Sequence, residues 1–224
     1  VAVVPQPNWR DDLRDFRKLG APRLYFGVNA GAMDSMVNHY TAAKRLRSDD
    51  AYTPEGKAGQ RPDYAVTVYT KILKEIYPDI PVVIGGIEAS LRRVTHYDYW
   101  QDALKPSILV ESGADWLCYG MGERTMIEFT KAIEAGRNIN DIRKIPQLAF
   151  YMDGRSTLKE AVYLNSYERC CKDKVAFAEN FHVIETYANM LTPPVLIEPV
   201  GNGYVQINPT WPPATQEEMD SFWD

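Results

Sequence analysis

This sequence predicts an α/β fold: a three-layer, flavodoxin-like or Rossmann-like domain with a mostly parallel sheet, followed by a C-terminal helix and β-hairpin appendage. Three observations carry the prediction. Short, nearly continuous apolar runs of strand length alternate with segments of helical periodicity, the pattern of strands buried on both faces and joined by right-handed crossover helices. Three of those runs end in turns containing glycine. A late pair of apolar runs flanks Gly201-Asn202-Gly203, the spacing of a hairpin.

Taken in order, residues 1–4 form a β-branched run closed by Pro5 and Pro7, read as a strand, after which Asn8 can cap a charged helix over 9–19 that stops at Gly20. Strands follow at 23–28, 82–84 and 116–119. Between the first two of these, Ala65, Val68, Tyr69, Ile72, Leu73 and Ile76 repeat as one apolar stripe, with Pro62 ahead and Pro78 behind, so a helix packs there on the sheet. A second helix runs from about Glu123 through Ile127, Thr130 and Ile133 to Gly136. Residues 44–61 are charged and aperiodic and contain Pro54, Gly56 and Gly59; they read either as a functional flap or as a solvated excursion. From Ser166 a long helix is expected with Cys170, Phe177, Phe181, Ile184 and Ala188 on one stripe, ended by Pro193-Pro194. Residues 195–198 and 204–208 form the hairpin, and a linker then enters a helix with Thr215 as N-cap and Glu218 as its capping-box partner. The Rossmann-like unit is expected over 1–150, with the helix, hairpin and linker over 151–224.

Composition narrows the function. With 224 residues, 45% of them hydrophobic, the chain can bury a sizeable core. A net charge of −5 provides no broad positive field, which disfavours nucleic acid as a partner. No stretch approaches the roughly 20 apolar residues of a membrane helix and no signal-peptide pattern opens the chain, which therefore reads as cytoplasmic with no membrane partner. It begins inside an apolar run and ends in a helix-starting linker, and so reads as part of a longer polypeptide. Cys118, Cys170 and Cys171 lack any CxxC spacing and read as reduced thiols, Cys170 as a packing residue.

In a parallel sheet the turns at Gly31, Gly85-Gly86 and Gly120-Met121-Gly122 all fall at the carboxyl ends of the strands, where open α/β domains place their ligand crevice. Polar side chains follow each turn: Asp34, Ser35 and Asn38, then Glu88 and Ser90, then Glu123. A site and a scaffold explain this equally, because glycine suits such turns for backbone reasons and Glu88 and Glu123 suit helix N-termini. No G-x-G-x-x-G or Walker loop occurs, so classical dinucleotide or ATP binding lacks support. Arg92 and Arg93 lead into Thr95-His96-Tyr97-Asp98-Tyr99-Trp100, a mixture suited to an anionic aromatic ligand, to an interdomain contact or to plain loop packing. His39, His96 and His182 have no second ligand at metal spacing, and there is no nucleophile elbow.

The runs 31–41, 49–54, 61–64, 83–93, 96–100, 112–115 and 119–123 closely resemble the amino-terminal region of the YgiQ-type radical SAM proteins, a bacterial family, and the likeness spans essentially the whole chain. The resemblance implies that this region precedes a radical SAM barrel in an iron–sulphur, oxidoreductase-like enzyme of unknown substrate. In that barrel a C-x-x-x-C-x-x-C motif holds a [4Fe–4S] cluster, whose open iron binds S-adenosylmethionine. The motif is absent here, so no cofactor or metal site is expected in this chain itself. The region is also similar to cobalamin-binding domains, but no histidine here sits in Asp-x-His-x-x-Gly, and cobalamin is not expected. On this basis the chain is expected to act as an accessory domain over the barrel mouth, with Asp34, Glu88, Arg92, His96 and Glu123 as the candidate contributors to chemistry. Two alternatives stand beside it: a scaffold whose 95–100 segment is an interdomain or dimer contact, and a stand-alone small-molecule-binding module.

Overall fold

The apolar runs centred on Gly27, Val83 and Leu117 do lie side by side as parallel strands. The computed structural model describes residues 1–222. In chain order its elements are α1 (Arg14–Arg17), β1 (Phe26–Val28), α2 (Ser35–His39), α3 (Ala65–Ile76), β2 (Val82–Ile84), α4 (Gly86–Leu91), β3 (His96–Asp98), β4 (Ala103–Lys105), α5 (Ile108–Ser112) and β5 (Trp116–Cys118). There follow α6 (Glu123–Glu134), α7 (Ile139–Ile142), β6 (Leu148–Asp153), β7 (Val162–Tyr163), α8 (Tyr167–Cys170), α9 (Lys174–Ala188), β8 (Leu196–Val200), β9 (Gly203–Ile207) and α10 (Gln216–Ser221).

Seven strands form one sheet in the order β1-β2-β5-β6-β9-β8-β7, and β3 and β4 make a separate hairpin. The α/β class is as predicted. The late hairpin is also present, but it extends the main sheet: β9 pairs antiparallel with β6 from Ala149↔Ile207 to Asp153↔Gly203. β6 runs against β5 and β9 against β6, so β9 points the same way as β1, β2 and β5.

Alternation along the strands assigns the two faces. Val82, Ile84, Leu117 and Ala149 join a core with Ala65, Val66, Tyr69 and Leu73 of α3 and with Ile108 and Leu109 of α5. Val83, Trp116, Cys118, Leu148 and Phe150 point the other way, into a second core with Phe129 and Ala132 of α6 and Ile142 of α7. Helices therefore cover both faces of the sheet, which makes three layers.

Three local expectations are corrected. Residues 1–4 form no strand; Val1 and Val3 stand exposed, and Pro5 and Pro7 remove the donors that pairing would need. The helix expected over 9–19 shrinks to the four residues of α1. There the side chains of Asn8 and Asp12 bind the amides of Arg10 and Arg14, and Leu13 is left-handed at φ 55°, so local side-chain bonds take the donors a longer helix would use. The long helix expected from Ser166 is two helices, capped separately by Ser166 and Asp173. Cys170 is buried as expected, whereas Phe181 is exposed. The capping box of Thr215 and Glu218 is present; the expected helical run reaches Trp223, which with Asp224 lies outside the described residues.

Phe129 anchors the second core, fully buried and edge-on to both Tyr25 and Trp116 at 5.4 Å. Phe129→Ala should therefore lower the unfolding free energy by about 3–5 kcal/mol in denaturant titration. A loss below about 1 kcal/mol would mean that this face is not a packed core.

Candidate functional site

Because β1, β2 and β5 are parallel, their three glycine turns converge on one edge. The amide of Gly85 donates to the Val28 carbonyl at 3.0 Å. Gly86 has φ 77°, and a Cβ there would lie 3.4 Å from the Asn29 side chain. A Cβ on Gly85 would lie 3.3 Å from the Cys118 carbonyl. Glycine is thus favoured at Gly86 by its positive φ and at Gly85 by close approach to a backbone carbonyl. Across the next turn, the Gly120 amide donates to Ser90 Oγ at 3.3 Å, and Gln147 Nε2 donates to the carbonyls of Tyr119 and Met121 at 2.9 and 3.1 Å.

Three predicted site residues, Asp34, Glu88 and Arg92, meet directly beneath this edge. Glu88 lies on α4 with its side chain buried, and its two oxygens accept from the Ser35 amide (2.8 Å) and the Val66 amide (2.9 Å). Those amides belong to the first turns of α2 and α3. α3 has no cap of its own: Tyr64, just before it, is left-handed and makes no side-chain cap bond. Asp34 caps α2 through Oδ1 and accepts from Arg92 Nη1 through Oδ2. Burial opposes the charge of Arg92, but the Asp34 carboxylate, with Glu88 and Asp98 further off, holds its pKa above the usual value. The guanidinium also lies over the Tyr64 ring, 5.6 Å from its centroid.

Residues 44–61 are fastened to the same edge by a second buried network. Asp50 accepts from Asn38 Nδ2 (2.7 Å) and from Arg61 Nε (2.8 Å), while Arg61 Nη1 donates to the Ala30 carbonyl at 3.0 Å. Burial alone would raise the Asp50 pKa; the bonds from Arg61, Tyr52 and Asn38 hold it below the usual value. His39 joins with Nδ1 2.8 Å from Asp63 and Nε2 3.5 Å from Asp50. The segment is therefore anchored at Asp50, Thr53 and Arg61, while most of its other residues stay exposed. Asp50 and Arg61 were missed as site-forming residues because a charged, aperiodic stretch carries no signal of burial.

The other two candidates stand apart from this cluster. His96 lies on β3, its Nδ1 donating to the Val94 carbonyl at 3.0 Å, and burial lowers its pKa. Glu123 is the first residue of α6 and is exposed. The 95–100 segment is β3 with the start of the turn toward β4, and it exposes Tyr97 and Tyr99. Cys118 and Cys170 are buried in different regions and Cys171 is exposed; among the described residues no group of His, Cys, Asp or Glu is placed to hold a metal ion. The thiols of this chain do not fit an iron–sulphur cluster. Nor is any helix among the described residues long and apolar enough to cross a membrane.

The chain leaves the sheet at the glycine edge, because β9 ends there. Tyr119 Oη donates to the Asn208 carbonyl, and the Gln147 amide donates to the Pro209 carbonyl at 2.8 Å. Trp211 Nε1 donates to Thr125 Oγ1 at 2.9 Å, and the Arg124 guanidinium stacks on the Trp211 ring at 4.1 Å. Arg124 also pairs with Glu218 of α10 at 3.3 Å. Residues 208–218 thus form a strap held along the start of α6.

One further buried acid escaped the sequence reading. Glu198 of β8 receives the Thr95 amide on both oxygens, at 3.0 and 2.9 Å, and burial raises its pKa to about 7. In the sequence it was only the last residue of a strand.

The family described as Radical SAM N-terminal matches residues 1–224. A UPF0313 protein of Porphyromonas gingivalis is 52% identical over 227 residues, covering 100% of this chain and 36% of the relative. One of Bacteroides thetaiotaomicron is 51% identical, covering 100% and 38%, and one of Clostridium perfringens is 43% identical, covering 100% and 34%. No solved structure matches. The chain belongs to the Radical SAM N-terminal family, and it spans about a third of the length of the curated relatives it matches.

Two outcomes follow for the buried charges. Arg92→Met removes the partner of a buried carboxylate and should destabilise the protein by about 3–5 kcal/mol in denaturant titration, whereas an effect under 1 kcal/mol would show Asp34 to be solvated. Glu198 has a folded pKa above its unfolded one, so its contribution to stability is full below the ordinary carboxyl range near 4.5 and is lost as pH rises through about 7. Glu198→Gln should therefore raise the melting temperature at pH 8 by about 5 °C or more and change it little at pH 4.5. Equal shifts at both pH values would contradict the buried-acid assignment.

Proposed function

We propose that this chain is the accessory domain of a radical SAM iron–sulphur enzyme, with its glycine edge turned toward the catalytic part and helping to enclose the substrate there. Family membership supports the enzyme class. In such enzymes a [4Fe–4S] cluster reduces bound S-adenosylmethionine and so generates a 5′-deoxyadenosyl radical. The cysteines of this chain do not fit that cluster, and on this reading it is held by the part of the longer protein outside these residues. Residues 1–150 supply the edge, and 151–224 complete the sheet and carry the chain out.

The observation that carries the reading is the strap: residues 208–218 leave the sheet along the same edge on which the three glycine turns converge. Polypeptide joined after α10 is delivered there and not at the opposite edge. Within the edge, Asp34, Glu88 and Arg92 act as positioning residues, because their polar atoms are engaged in fixing the helix starts. Glu123 is free to face the catalytic part, and His96 borders the region from the β3–β4 hairpin.

The two ends of α6 provide the test, since Glu123 lies at the glycine edge and Glu134 at the far end of the same helix, both exposed. Carbodiimide-driven amidation of the full-length protein should modify Glu134 at least about tenfold faster than Glu123 if partner burial shields the near end. Equal rates would leave the glycine edge in solvent and end this placement.

A further inference from the structure

The two short helices on the glycine edge bury charge and expose apolar side chains. In a helix lying on a domain surface, apolar residues face the core and charged ones face water. Here the inward positions hold Asp34, Glu88 and Arg92, only 4%, 1% and 7% exposed, beside Met36 and Ala89 at 3% and 0%. The outward positions are Val37 on α2 and Ile87 and Leu91 on α4, which are 46%, 48% and 60% exposed. Met33, just before α2, and Met121, in the turn before α6, add side chains 41% and 60% exposed. Each of the three converging turns thus contributes at least one outward aliphatic or thioether group. A single exposed apolar residue is ordinary, but five on adjacent turns, above charges that have been turned inward, make a contiguous surface of the kind that packs against protein.

We propose that Met33, Val37, Ile87, Leu91 and Met121 are the contact surface for the rest of the longer polypeptide, the part joined beyond α10. This rests on the accessory-domain reading and adds to it which side chains make the contact. Two observations select this occupant. The strap brings the exit of the chain alongside the Gly120–Gly122 turn that carries Met121, so the following residues start next to the surface and not across the molecule from it. The matched relatives are also nearly three times as long as this chain, with 36% of one and 38% of another covered, so the polypeptide available to cover the surface is larger than the domain that presents it.

The methionines report on the contact directly. Oxidation by dilute hydrogen peroxide follows sulphur exposure, and Met190, 45% exposed between α9 and β8, is an internal reference outside the three converging turns. In the full-length protein, peptide mass spectrometry should show Met33 and Met121 oxidising at least about tenfold more slowly than Met190, at a rate independent of protein concentration. Leu91→Glu, a change at an exposed position, should bring their rates to within about twofold of Met190 by loosening the contact. Three results would overturn the proposal: rates for Met33 and Met121 equal to that of Met190 in the unaltered protein, protection that survives Leu91→Glu, or protection lost on dilution, which would identify a second copy as the occupant. If these methionines oxidise freely while Glu123 stays shielded from amidation, the edge faces the catalytic part but not through these side chains. If both are open, the accessory placement fails as well.

Discussion

The edge of this domain depends on one carboxylate. Glu88 spends its two oxygens on backbone amides from two different helices, the Ser35 amide at the start of α2 and the Val66 amide at the start of α3. An α-helix leaves its first amides unpaired, and α3 has no capping side chain of its own. Glu88 therefore does for α3 what a local Asp or Ser ordinarily does, from a helix that follows the next strand. The bond joins the β1 and β2 crossovers through groups buried from water, where an unpaired donor or acceptor is costly. The negative charge also sits at the positive end of the α3 dipole, which offsets part of its desolvation.

Around Glu88 the remaining buried charges are matched. Arg92 reaches back across the edge to Asp34, itself the cap of α2, and Arg61 ties Asp50 of the 44–61 segment to the Ala30 carbonyl beyond the end of β1. Buried pairs of this kind add little net stability over apolar replacements, because desolvation consumes most of the Coulomb gain. Their geometric effect is larger. Each guanidinium has one arrangement that satisfies its partners, so the two networks fix where the turns lie relative to one another. The Asp-Ser-Met-Val-Asn-His run and the Ile-Glu-Ala-Ser-Leu-Arg-Arg run consequently make one structural unit, though they are more than forty residues apart in the chain.

The sequence made the framework legible where burial is periodic. Helix α3 was readable because Ala65, Tyr69, Leu73 and Ile76 repeat on one face and Pro78 stops the pattern, although it starts at Ala65 and not in a first turn holding Pro62. Strands β2 and β5 were readable because both of their faces are covered, leaving continuous apolar runs. The α10 capping box was readable because its bonds are local. What failed was local pattern overruled by context: the apolar run 1–4 has no neighbour to pair with, and the helix over 9–19 loses its start to Asn8 and Asp12. At the candidate site the residue types were visible and their arrangement was not. That Asp34 and Arg92 would pair, that Glu88 would reach Val66, and that Asp50 and Arg61 would be buried all depend on contacts between segments far apart in sequence, for which a single chain offers no periodic signal.

Site and scaffold, equally balanced at the outset, divide between the two sides of the same short helices. The inward side of α2 and α4 is scaffold by its own hydrogen-bond accounting: Asp34 and Glu88 have their oxygens engaged with helix amides and Arg92, and little remains with which to bind a ligand. Whatever the edge does must then be done by what points outward, and that is mainly aliphatic, with Glu123 at the neighbouring turn. Aliphatic side chains perform no proton or electron transfer; they contribute contact area and exclude water. Such a surface suits the proposed accessory role, in which the domain shapes and closes a space whose chemistry another part of the protein supplies, a division of labour fitted to radical intermediates that must be kept from solvent. Asp34, Glu88 and Arg92, three of the five polar residues singled out in the sequence, thus fix the backbone that presents an apolar surface.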